Sequence, residues 1–66
     1  MLNDTYKVVL KLKAHKDAKG NWVKPKINII VEKTIDCPTR AIARIFALNE
    51  VENNQEQWIV ICTHKA

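Results

Sequence analysis

The sequence predicts an α+β fold: residues 1–66 as a single small domain, β-β-α-β in order, with a three-stranded antiparallel sheet in the order 2-1-3 and one helix packed on one face. Three observations carry this. Residues 6–13 largely alternate apolar and basic, residues 38–49 are mostly good helix formers with no glycine among them, and residues 58–62 are apolar on both parities. A period of two marks a strand with one buried and one wet face, whereas apolar residues three and four apart mark a helix.

In the first strand, residues 5–13, Tyr6, Val8, Leu10 and Leu12 share one parity and Lys7, Val9, Lys11 and Lys13 the other. The wet face is therefore basic. The polar stretch 14–21 holds the only glycine, and Gly20-Asn21 supplies the positive φ angles of a reversal. A second strand begins near Trp22 or Val23 and becomes clear over 26–32. Pro25 donates no hydrogen bond, so this strand starts after it or lies at an edge there. Ile27, Ile29 and Val31 form its expected inward set; Lys24, Lys26, Asn28, Ile30 and Glu32 form the other face.

The helix is expected over 38–49, with Asp36 as N-cap and Pro38 in the first turn, where a missing N–H costs nothing. Ala41, Ile42, Ile45, Phe46 and Asn49 make its apolar stripe, with Leu48 at the border and Arg40 and Arg44 together on a flank. A polar loop follows, turning at Asn53-Asn54, and the last strand runs from Gln57 to about His64. With one helix to cover the sheet, either Trp58, Val60 and Cys62 or Ile59 and Ile61 must share the open face with the lysines. The helical connection between the last two strands is expected to be right-handed.

Size limits what such a chain can do alone. A domain of 66 residues buries only about 60% of the surface its unfolded chain exposes. A core shared with a partner, or a homodimer, would relieve that shortage. Two cysteines are too few for a disulfide scaffold, and Met1-Leu2-Asn3-Asp4 shows no secretory pattern, so a cytoplasmic location is expected. No apolar run is long enough to span a membrane. The net charge of +4 is polarised: residues 1–33 hold eight lysines against three acids, and residues 34–66 hold three basic residues against four acids. That asymmetry suits an oriented contact with something anionic, although lysines also keep small domains soluble and guard strand edges.

No constellation points to catalysis, and the chain is not expected to be an enzyme. Cys37, Cys62, His15 and His64 show no metal-ligand spacing, so neither a metal nor a cofactor is expected. Cys62 and His64 share a strand face without an orienting acid. Cys37 near the helix start would be activated if exposed there, but its residue type favours a capping or partly buried position. A single glycine leaves no phosphate-binding loop.

What remains is the open sheet face. Lys7, Val9, Lys11, Lys13, Lys24, Lys26, Ile30 and Trp58 are its expected partner-binding residues, an apolar centre in a basic rim suited to a larger protein with an acidic surface. The alternative partner is nucleic acid, held by Lys7, Lys11, Lys13, Lys24, Lys26, Arg40 and Arg44, with Trp22 and Trp58 as a thin stacking platform. In size and element order the chain resembles small phage-encoded proteins that bind and disable a host factor. The likeness rests on a short chain with an N-terminal hairpin (6–13 and 27–32), one helix (38–49) and a final strand (58–64). It implies a host-protein partner and an inhibitory role; no motif residue matches, so it assigns no binding residue.

Overall fold

The structure, a computed structural model, describes residues 3–66; Met1 and Leu2, which open the segment read for a secretory pattern, lie outside it. Strand β1 spans Asp4–Lys16, β2 Trp22–Val23, β3 Ile30–Cys37, helix α1 Arg40–Val51 and β4 Glu56–Lys65. All pairings are antiparallel and all involve β1. Residues 6–11 of β1 pair with β3 and with β4, and His15 pairs with Val23 of β2 and Glu56 of β4. Strands β3 and β2 therefore lie end to end along one edge of β1, and β4 runs along the other. The expected order, first strand central, holds, with β2 as an added short strand.

The inward parity of β1 is as predicted. Tyr6, Val8, Leu10 and Leu12 are buried, and Ile35 and Cys37 of β3 with Ala43 and Ala47 of α1 complete the core. The second long strand begins later than expected, at Ile30. Ile27 is 72% exposed and Ile29 is also exposed, so of the expected inward set only Val31 packs on the core. The register explains the shift. Cys37 lies opposite Asp4 and Ile35 opposite Tyr6, so β3 must run to Cys37 to fill the sheet beside the start of β1. Residues 24–29, which contain Pro25, connect β2 to β3 without strand structure, and at their end the Ile29 carbonyl accepts from Leu12 N at 2.9 Å.

That extension also moves the helix start. Asp36 remains in β3, where its carboxylate accepts a hydrogen bond from Thr5 Oγ1 at 2.7 Å. Thr39 is the N-cap instead, its hydroxyl accepting from Ile42 N at 3.2 Å, and Pro38 precedes it. The helix docks through Ala43 and Ala47, whereas Ile45 is 56% and Phe46 49% exposed. The expected stripe is thus rotated toward solvent, although Ile42, Leu48 and Val51 pack at the core margin. Apolar residues run nearly all round this helix, so periodicity alone fixes its face poorly. Ala43 and Ala47 are the fully buried helix residues above Tyr6, Val8 and Leu10 of β1.

At the far end, Gly20 takes φ +82, while Asp17 Oδ1 accepts from Lys19 N at 2.8 Å and Asn21 N at 2.9 Å. The second loop turns where expected, Asn53 Oδ1 accepting from Gln55 N at 2.7 Å. The molecule measures 47 × 20 × 12 Å with a radius of gyration of 13.4 Å, against about 11 Å for a compact chain of this length. Helix α1, 12 residues and so about 18 Å long, covers less than half of that slab. Among the described residues no helix is long and apolar enough to cross a membrane.

Candidate binding face

Two bulges decide what the uncovered face displays. Opposite β1, the register of β4 changes between Val9 and Leu10, where Ile61 is the extra residue, and again between Leu12 and Ala14, where Lys13 is. Each extra residue reverses the facing of the residues beyond it. In β4 the change at Ile61 puts Trp58 and Val60 on the helix-covered side, and Ile59, Cys62 and His64 on the open side. The choice left open by the apolar run is therefore settled by neither parity but by both, one on each side of the bulge. Trp58 does not belong to the open face, contrary to expectation: it packs against the core and donates from Nε1 to Glu56 Oε2 at 3.2 Å.

The pairing gives the open face row by row. Lys11 lies between Ile30 and Ile59, Val9 between Glu32 and Cys62, and Lys7 between Thr34 and His64. Ile30 and Ile59 are exposed large hydrophobic side chains. Together with Val9 they form an apolar centre crossed by the stem of Lys11. Next to Lys11 and Ile59 is a shallow depression of about 350 Å³ lined also by Leu12, Lys13, Lys24, Pro25 and Asn28. Asn28 was expected on this face and Ile59 was one of the two alternatives for it, whereas Pro25 was not expected there. Pro25 and Asn28 reach it from the irregular bridge between β2 and β3 rather than from a strand.

The lysines divide into two groups. Toward the start of β1 they meet acids: Lys7 Nζ lies 3.9 Å from Glu32 Oε1 and Lys65 Nζ 3.2 Å from Asp4 Oδ2. Both pairs are solvent-exposed and contribute little to stability, but they neutralise that end. Lys11, Lys13 and Lys24 have no such partner among the described residues. Lys26 is exposed in the bridge and does not line the depression. Arg40 and Arg44 lie elsewhere, on the helix flank over Val60, Ile61, Cys62 and Thr63 of β4.

The other candidates are dispersed. Cys37 is buried, donating from Sγ to the Thr39 carbonyl at 3.1 Å, and Cys62 is exposed. No group of three or more His, Cys, Asp or Glu among the described residues is arranged to hold a metal ion. Trp22 reaches the open side beyond the Lys13 bulge, with Lys16 Nζ 5.3 Å from its ring centroid. The two-tryptophan platform is therefore not assembled. No family model, curated protein or solved structure matches this chain.

Proposed function

We propose that this chain is a non-enzymatic binding protein that engages a larger protein with an acidic surface through its open sheet face and thereby modulates or inhibits it. The carrying observation is the row Ile30–Lys11–Ile59 with Val9 beside it and Lys13 and Lys24 at its rim. Exposed aliphatic side chains with unpaired cations among them and at one end match a protein interface, in which an apolar patch is desolvated and charges at the margin orient the encounter. The likeness in element order to small phage-encoded host-factor inhibitors makes a host protein in the cytoplasm the proposed target. A nucleic-acid role draws on the same lysines but finds one tryptophan on this side, already under Lys16, so stacking adds little.

Tagged protein should retain one partner from a nuclease-treated host lysate at moderate salt. Lys11→Glu with Lys24→Glu should abolish retention, and Arg40→Ala with Arg44→Ala should leave it intact. Retention of nothing above background would end this reading. Binding to DNA or RNA that collapses between low and physiological salt would replace it with the nucleic-acid one.

A further inference from the structure

The outer edges of the sheet are unequal. β3 carries Glu32, Lys33 and Asp36 along its length, the charges that discourage strand addition. β4 carries Trp58, Ile59, Val60, Ile61 and Cys62 in succession, with charge only at its ends, Glu56 and Lys65. A long apolar edge without a charge in its centre is a template for another strand. Ordinary solubility does not account for it.

The backbone shows which groups are free. Lys16 N bonds to Gln55 O, and Ala66 N bonds to Thr5 O, each at 2.9 Å. In an antiparallel ladder successive residues aim alternately at one neighbour and then the other. Glu56, Trp58 and Val60 before the bulge, and Thr63 and Lys65 after it, therefore aim their N–H and C=O groups away from β1. Thr63 Oγ1 is also the one buried side-chain polar atom without a hydrogen-bond partner among the described residues.

We propose that this edge pairs with the same edge of a second copy, antiparallel, about a two-fold axis between Val60 and Ile61. That axis sets Glu56 opposite Lys65, Trp58 opposite Thr63 and Ile59 opposite Cys62. It meets three requirements together. Outward-aimed backbone meets outward-aimed backbone at Glu56/Lys65 and Trp58/Thr63. Faces match, since Trp58 and Thr63 both lie on the covered side, Ile59 and Cys62 both on the open side. Opposite charges meet at both ends. A slip of one residue would set Trp58 against Cys62, a covered residue against an open one. The parity reversal at Ile61 is what makes the strand self-complementary about that point. Pairing would extend the apolar surface of a slab that one helix half covers, and it would join the two open faces side by side. Arg44 opposes it: it stands over Val60–Thr63 in the groove beside the helix, so two copies bring like charges toward the axis.

The purified chain should show a monomer–dimer equilibrium by sedimentation, and Ile61→Lys should render it monomeric with its circular dichroism unchanged. Arg44→Ala should tighten the dimer roughly two- to fivefold. Under oxidation Ile59→Cys should cross-link to native Cys62 of the other copy, because facing residues not bonded to each other bring Cα atoms to about 4.5 Å. Ile59→Cys with Cys62→Ala should not cross-link, nor should the unsubstituted chain through Cys62 alone, since each would join residues three positions apart across the pair. A chain that stays monomeric at millimolar concentration overturns the proposal, as does equal cross-linking through Cys62 alone. Protection of the Trp58 and Thr63 amides that appears only with a partner protein bound would assign the edge to that partner and overturn self-pairing.

Discussion

Replacing Ile45 with alanine separates the observed helix orientation from the one its periodicity suggests. Full burial of an isoleucine side chain is worth about 1.5–3 kcal/mol. Ile45 is 56% exposed, so less than half of that is at stake, roughly 0.7–1.3 kcal/mol. Alanine is the better helix former by up to about 0.7 kcal/mol, which offsets much of the loss. The net destabilisation should therefore stay under ~1 kcal/mol. Were Ile45 at the centre of the buried stripe, the same change would cost about 2–5 kcal/mol. A chain of 66 residues has a total stability of only about 3–10 kcal/mol, so the two outcomes differ by much of the whole. Urea unfolding at one protein concentration, followed by circular dichroism and read as a change in midpoint at constant slope, measures the difference. The counterpart is Ala47→Leu, which forces extra methylenes into a fully buried position and should cost about 1–3 kcal/mol. A loss above ~2 kcal/mol for Ile45→Ala, or a larger loss there than for Ala47→Leu, would refute this orientation of the helix.

Thr39→Ala should cost about 1 kcal/mol, because it removes the hydroxyl that satisfies Ile42 N. Asp36→Ala, which breaks an exposed bond to Thr5, should cost less, and thermal melts of the two would show whether the cap lies at Thr39 or at the aspartate. Gly20→Ala places a Cβ at φ +82 where nothing lies within 4 Å, so the loss is backbone strain alone, about 1 kcal/mol. An unchanged midpoint would mean that the hairpin turn adopts another conformation.

Much of the fold is legible in the chain because period-two patterns report local geometry directly. Tyr6, Val8, Leu10 and Leu12 name the buried face of β1 without any knowledge of its neighbours. Asp17, Gly20 and Asn53 mark turns through their own backbone preferences. The limits of β3, by contrast, depend on where β1 offers a partner, and that register moved the helix cap from Asp36 to Thr39. Lys11, Lys13 and Lys24 were readable as a basic set, but their separation from the neutralised Lys7 required the positions of Glu32 and Asp4.

Residue order alone thus determined the buried face of β1 and the basic character of its wet side, through alternation, and the turns, through preferences within a few residues. Only the tertiary structure decided which side of α1 is buried and which residues of β4 share the open face. A helix with apolar residues on most of its circumference and a doubly apolar strand leave the choice of buried face to their neighbours. Packing against β1 chose Ala43 and Ala47 for the one, and a single extra residue at Ile61 divided the other between the two sides of the sheet.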